Sequence, residues 1–314
     1  MRILILGAGA IGGYYGARLM QAGADVTFLV RSGRAAQLAA HGLVLRSPLG
    51  DAQLQPRWIE AASHDAPFDL VLLTCKAYDL EGAIAAITPA VGPSTLILPL
   101  LNGLLHLERL AEAFGAQRVV GGCCSIPVTL GPNGEIRHLA KMQRIAFGPL
   151  PGSLPGARDR LAHLHGLLAQ TPGETVLAED MRQEMWEKFV GLCSLAAMTC
   201  LMRGAVCDIL AAEEGAALMS ATFDACARTA AANGHPPREP AMAGFRRMLL
   251  DPASPGMASM LRDLEGGGRT EGRHVVADML RRARAAGVEP GALPAAWCHL
   301  ETREHRVRRE ASAN

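Results

Sequence analysis

The chain has almost no net charge: 31 basic side chains face 30 acidic ones, formally +1 over 314 residues. Bulk electrostatics therefore supply no attraction for nucleic acid or an anionic membrane, and partners are expected to be small molecules chosen locally. None of the eight cysteines stands in a C-x-x-C pair, which argues against zinc. No internal repeat and no low-complexity linker is visible. No secretory leader is expected, because the first strand starts at Arg2 and leaves no n-region or h-region. The longest apolar stretch, Phe189 to Met202, is too short for a bilayer span. A reducing cytoplasm is the expected compartment.

What is present is a globular composition. Hydrophobic residues make up 49% and charged residues 19%. The length suggests about two domains of ordinary size or one large one. Cys193, Cys200 and Cys207 recur every seven residues. They read as small buried residues on one helix face; a thiol site is the alternative, with no histidine spacing nearby to support it.

The opening "LILGAGAIGG" places Gly7, Gly9 and Gly12 at G-x-G-x-x-G spacing behind an apolar strand, Arg2 to Leu6. "YYGARLMQAG" follows with helical spacing, and "DVTFLV" reads as a second strand. Strand, glycine turn, helix and strand within thirty residues make a dinucleotide cradle rather than an ordinary turn. Gly7 permits the tight turn, Gly9 lets a pyrophosphate approach, and Gly12 lets helix and strand pack closely. The cofactor contacts are expected along Gly7, Ala8, Gly9, Ala10, Ile11 and Gly12, at the helix N-terminus. An NAD site carries a carboxylate at the end of the second strand; here Arg31 stands there, with Arg34 close behind. A guanidinium suits a 2′-phosphate, so NADPH is expected, with a solvated loop charge as the alternative for Arg31.

Further strands are expected at Leu70 to Thr74, Thr95 to Leu98, in "RVVGGCCSIPVTL" and in "GEIRHL", with a turn at Pro132 to Gly134. Lys76 and Asn102 lie just past carboxyl ends of strands, where ligands bind in open α/β sheets. Asn102-Gly103 also fits a plain turn dipeptide. "ETVLAED", Glu174 to Asp180, reads as the last piece of this domain.

From Met181 the strand signals disappear and three long helical patterns follow: "MRQEMWEKFVGLCSLAAMTCLM", "AAEEGAALMSATFDACARTAAANG" and "GRHVVADMLRRARAAG". The expected fold class is thus an α/β Rossmann-type dinucleotide-binding domain, residues 1–180, followed by a mainly α-helical domain, residues 181–314. That is a common dehydrogenase layout, with the site in the cleft between the domains. Lys188 lies among apolar neighbours. Either it snorkels to solvent or it faces the cleft and donates a proton to a carbonyl oxygen. Ser259, Asp263 and Glu271 are further polar candidates; Glu271 also suits the N-terminus of the last long helix as a simple electrostatic cap. The charged tail "REHRVRREASAN" is expected to be frayed helix running into disorder.

Taken in order, "GAGAIGG", "CKAYD", "LNG", "WEKF" and "SMLRD…RTE" resemble the ketopantoate reductase (2-dehydropantoate 2-reductase) family over nearly the whole chain. The resemblance implies NADPH-dependent reduction of a 2-oxo acid, in the family a step of pantothenate biosynthesis. It implies Lys188 as catalytic acid and Glu271 as a catalytic residue that orients cofactor and substrate. Ser259 and Asn102 would hold substrate, Asn102 also touching cofactor, and Lys76 would contact cofactor. It further implies a homodimer through the helical domain. The chain departs from the pattern at Leu192, Ala196 and Gly256, where the family typically carries asparagines. A pocket without those partners loses its preference for a hydroxylated substrate, so a less hydroxylated, more apolar 2-oxo acid is expected. Two other assignments compete. One is a different two-domain dehydrogenase, opine- or 6-phosphogluconate-type, against which Ser259 to Glu271 speaks. The other is an NADP-binding sensor without turnover, against which Lys188 and Glu271 speak.

Overall fold

The structure is a computed structural model and describes residues 1–64 and 67–312. The chain folds as two compact units, Met1–Leu101 with His106–Glu184 and Asn102–Leu105 with Met185–Asn314.

In the first unit, the longest apolar runs become buried parallel strands, and shorter segments add strands at the edges and in two smaller mixed sheets. The strands are β1 (Arg2–Leu6), β2 (Asp25–Leu29), β3 (Leu43–Arg46), β4 (Ala52–Leu54), β5 (Arg57–Ile59), β6 (Leu70–Leu73), β7 (Leu96–Pro99), β8 (Gly121–Ser125), β9 (Val128–Leu130), β10 (Ile136–His138), β11 (Arg144–Gly148) and β12 (Glu174–Leu177). The helices are α1 (Ala10–Gln21), α2 (Ser32–His41), α3 (Leu80–Ile87), α4 (Leu105–Phe114), whose first residue belongs to the second unit, and α5 (Ala157–Leu168). The main sheet is parallel throughout, in the order β5-β2-β1-β6-β7. Ile5 pairs with Phe28 on one side and Leu72 on the other. Ile3, Leu4 and Ile5 are fully buried, because helices cover both faces of such a sheet and leave no solvent-facing alternation. Each such side chain contributes about 1.5–3 kcal/mol by burial. The expected turn at Pro132 to Gly134 joins β9 to β10 as an antiparallel pair within the sheet β4-β3-β10-β9. A third sheet, β12-β11-β8, completes the unit.

The second unit is helical among the described residues. It holds most of α6 (Met181–Met202), then α7 (Val206–Leu210), α8 (Gly215–Ala232), α9 (Glu239–Leu249), α10 (Ser259–Glu265), α11 (Asp278–Ala285) and α12 (Leu293–Ser312). One turn of π-helix, Arg273–Ala277, leads into α11. The whole of α6 is one helix, longer than the apolar stretch read from the sequence. By length and composition it could cross a membrane, but most of it is buried inside the fold. A helix apolar on all sides is what a protein core requires.

Three expectations are corrected here. Cys193 and Cys200 are buried on α6, but Cys207 is half-buried on α7, because the chain breaks at Arg203, which adopts φ 57°. The second long pattern becomes helical only at Gly215, since Ala212 and Gly215 first close tight turns on Ile209 and Ala212. The charged tail is helical through Ser312, supported by i,i+4 pairs Arg306–Glu310 at 3.0 Å and Arg308–Glu304 at 3.5 Å. Its last two residues, where disorder was expected, lie outside the described residues.

Candidate functional site

The turn between β1 and α1 sits where strand order reverses, with β2 on one side of β1 and β6 on the other, the position at which open parallel sheets bind ligands. Gly7 adopts φ +86°, a region that favours glycine, and its N–H donates to Leu29 O at 2.9 Å. A β-carbon on Gly12 would lie 2.2 Å from Gly7 O and 2.5 Å from Thr74 Oγ1, so α1 reaches the strand ends only because that position is bare. Thr74 itself donates from Oγ1 to Leu6 O at 2.8 Å. A β-carbon on Gly9 would meet nothing within 4 Å, which leaves the helix N-terminus open.

Gly9 is the N-cap, no side chain caps the helix, and no acidic residue stands in its first turn. The amides of Ala10, Ile11 and Gly12 precede the first intrahelical bond, which Gly13 makes to Gly9 O at 2.8 Å. Such an end attracts anions. An open Gly9 beside a filled Gly12 fits the pyrophosphate of a dinucleotide.

The two arginines beyond β2 separate. Arg31 is exposed at the N-cap of α2. Arg34 folds back, its Nε donating to Ala8 O at 2.9 Å. Burial pulls the Arg34 guanidinium below its ordinary pKa, and its buried Nη2 has no hydrogen-bond partner among the described residues. Lys76 is half-buried and stands at the N-cap position of the helical turn Ala77–Asp79, just beyond β6.

In the second unit three expected residues come together. Lys188 Nζ donates to Asn102 Oδ1 at 3.2 Å, and Asn102 Nδ2 donates to Glu271 Oε2 at 3.3 Å. Lys188 and Asn102 are half-buried, and Glu271 is 5% exposed. Backbone fit places them. Gly103 adopts φ +77°, and a β-carbon there would lie 2.4 Å from His274 O, so the chain at Asn102 presses on the π turn. Glu271 O accepts from the amides of His274 and Val275, each at 3.0 Å, which ties the glutamate to the start of that turn. A π turn inside a helix frequently marks a functional site. Burial lowers the His274 pKa, outweighing the opposite pull of Glu271 and Asp278.

Ser259 is exposed at the first residue of α10, and its side chain makes no hydrogen bond among the described residues. At the positions of the departures, Leu192 is half-buried, Ala196 is 1% exposed, and Gly256 accepts the Val206 amide at 3.0 Å.

Several supports were missed from the sequence. Glu187, next to Lys188, takes three hydrogen bonds from Arg238: its amide at 2.8 Å, Nε at 2.7 Å and Nη2 at 2.7 Å. Trp186 stacks on His235 at 5.7 Å, and Arg282 lies over the indole at 5.4 Å. This clamp holds the α6 turn that presents Lys188. "WEKF" carried these residues, but nothing local named their partners. Thr74 was legible only as the end of a strand.

The ketopantoate reductase PanE/ApbA pattern matches residues 3–152, and the ketopantoate reductase PanE/ApbA C-terminal pattern matches residues 180–298. The uncharacterized oxidoreductase YkpB of Bacillus subtilis is 32% identical, over 97% of this chain and 99% of its own. The crystal structure of 2-dehydropantoate 2-reductase from Methylococcus capsulatus aligns with TM-score 0.86 and 29% identity, covering 98% of this chain and 97% of that one. A ternary structure of D-mandelate dehydrogenase with NADH and anilino(oxo)acetate shares the fold, with TM-score 0.85 at 17% identity over 98% of this chain and 99% of that one. Matched in both halves and along almost its full length, the chain belongs to the ketopantoate reductase family of oxidoreductases.

Proposed function

We propose that the protein reduces a 2-oxo acid to the corresponding 2-hydroxy acid with NADPH. The observation that carries this is the run of hydrogen bonds from the Lys188 ammonium through the Asn102 amide to the Glu271 carboxylate. Held by the Gly7–Gly12 turn, a reduced nicotinamide cofactor would supply the hydride for C2 of the acid. As charge grows on the carbonyl oxygen, the Lys188 ammonium stabilises it and then gives it a proton. Asn102 has one acceptor and one donor end. With the acceptor committed to Lys188 and the donor to Glu271, its amide holds a single orientation. That orientation fixes the ammonium in place and supplies the proximity that the reaction needs. Asn102 and Ser259 hold the substrate, Glu271 orients it together with the cofactor, and Lys76 contacts the cofactor.

The choice of NADPH rests on Arg31 and Arg34, which stand where a carboxylate would repel a 2′-phosphate. Leu192, Ala196 and Gly256 favour a substrate less hydroxylated than ketopantoate. The protein is proposed to act as a homodimer in the cytoplasm. Following NADPH oxidation over a panel of 2-oxo acids tests the activity. A clear preference for NADH over NADPH overturns the cofactor assignment, and an undiminished NADPH preference in Arg31→Ala removes Arg31 as its basis. Faster turnover of ketopantoate than of 2-oxoisovalerate overturns the substrate assignment.

A further inference from the structure

The face of α6 that carries Lys188 has a gap one turn further on, and an aromatic ring from another helix fills it. A β-carbon on Gly191 would lie 2.1 Å from both Cδ1 and Cε1 of Phe245. Phe245 comes from α9, which buries Met242 and Leu249, while the ring itself stays half-buried. The next residue, Arg246, lies over the Phe223 ring at 6.0 Å and pins α9 against α8. At about 100° per residue, Gly191 and Leu192 fall roughly 60° and 40° to either side of Lys188, all within one half of the helix circumference. The ammonium thus has its polar partners on Asn102 and, through it, on Glu271, while the helix surface beyond it is hydrocarbon.

We propose that Phe245, seated in the gap at Gly191, is the specificity-determining residue of this site and selects 2-oxo acids with a branched hydrocarbon group at C3. This rests on the 2-oxo acid reductase assignment. A hydroxyl at C4 gains no partner from Phe245 or Leu192 and loses its water on binding, which disfavours it. Methyl groups at C3 gain by leaving water against the ring. A pocket that differs by one methylene discriminates by roughly 10- to 200-fold, so a single ring is enough to set the preference. The bare Gly191 is part of the device, because any side chain there displaces the ring.

The test compares kcat/KM for pyruvate, 2-oxoisovalerate and ketopantoate with NADPH, in the wild type, Phe245→Ala, Phe245→Leu and Gly191→Ala. The wild type is expected to prefer 2-oxoisovalerate over both other acids. In Phe245→Ala the advantage over pyruvate is expected to shrink by about tenfold or more, the value of a lost apolar contact. Gly191→Ala, which expels the ring while leaving it in the chain, shifts the ratio the same way. Phe245→Leu, which keeps most of the apolar volume, retains much of the preference and reports on the wall if the alanine variant does not fold. NADPH affinity stays constant throughout, because the glycine turn is untouched. Unchanged ratios in all three variants, or a wild-type preference for ketopantoate, overturn the proposal while leaving the reductase assignment standing. Absence of turnover with every acid overturns the reductase assignment and this proposal with it.

Discussion

Lys188 and Asn102 stand 86 residues apart in the chain and meet at 3.2 Å, the ammonium donating to the amide oxygen. The same asparagine donates to Glu271, 169 residues from it along the sequence, at 3.3 Å. One small side chain thereby holds a cation and an anion in register, and the chemistry proposed for the protein depends on it.

Lys188→Ala is expected to lower kcat by about 10²- to 10⁴-fold, the usual contribution of a positioned general acid. Dinucleotide affinity, read by NADPH fluorescence titration, is expected to persist because the glycine turn is intact. Undiminished kcat in the variant excludes Lys188 as the proton donor.

Gly12 and Gly9 are expected to part company when each is changed to alanine. At Gly12 the new carbon lands 2.2 Å from Gly7 O and 2.5 Å from Thr74 Oγ1. Strain of that kind costs about 1–3 kcal/mol, so the melting temperature and NADPH affinity both fall. At Gly9 nothing lies within 4 Å, so stability holds and only affinity falls. Thermal melts and titrations of the two variants, side by side, decide this; equal affinity in Gly9→Ala and wild type removes Gly9 from the cofactor site.

Gly103→Ala places a β-carbon 2.4 Å from His274 O at a residue with φ +77°. Backbone strain of this sort costs about 1–3 kcal/mol. Relief by movement carries Asn102 away from Lys188 and Glu271, so kcat falls along with stability while NADPH binding is retained. A variant with lower stability but full kcat would show that Asn102 keeps its place without this contact.

His274 gives the stability a pH dependence. Burial lowers its folded pKa below the ordinary value of 6.5. As pH falls through that value the unfolded chain takes up the proton first, so stability declines, and the loss is complete once the folded pKa is passed. Above the ordinary value both states are neutral and the group contributes nothing. Melting temperatures from about pH 5 to about pH 8 are expected to fall on the acid side, with a shallower slope in His274→Gln. Identical slopes in the two proteins would exclude His274 as a source of this dependence.

Much of the N-terminal fold was legible because its signals are local. Glycines at Gly7, Gly9 and Gly12 sit directly between β1 and α1, and the expected strands at Leu70 and Thr95 lie within one residue of β6 and β7. The helical half was legible in kind but not in detail. The seven-residue recurrence of Cys193, Cys200 and Cys207 ignored the backbone break at Arg203, which periodicity alone does not register. α9 went unread after Pro236 and Pro237, since its amphipathic face has meaning only against the helix it covers. Glu187 went unread, because its partner Arg238 is 51 residues away and no spacing rule connects them.

By itself the sequence determined the nucleotide turn, the change from strands to helices near Met181, and the identity of the polar residues available for chemistry. Backbone freedom at glycine and the period of apolar side chains act over a few residues, so they can be read in order along the chain. The tertiary structure alone decided that Asn102 packs with the helical unit, between Lys188 and Glu271, and that the Phe245 ring occupies the space left bare at Gly191. Those meetings are set by how whole helices bury their apolar faces against one another, an energy summed over many contacts that no single stretch of sequence contains.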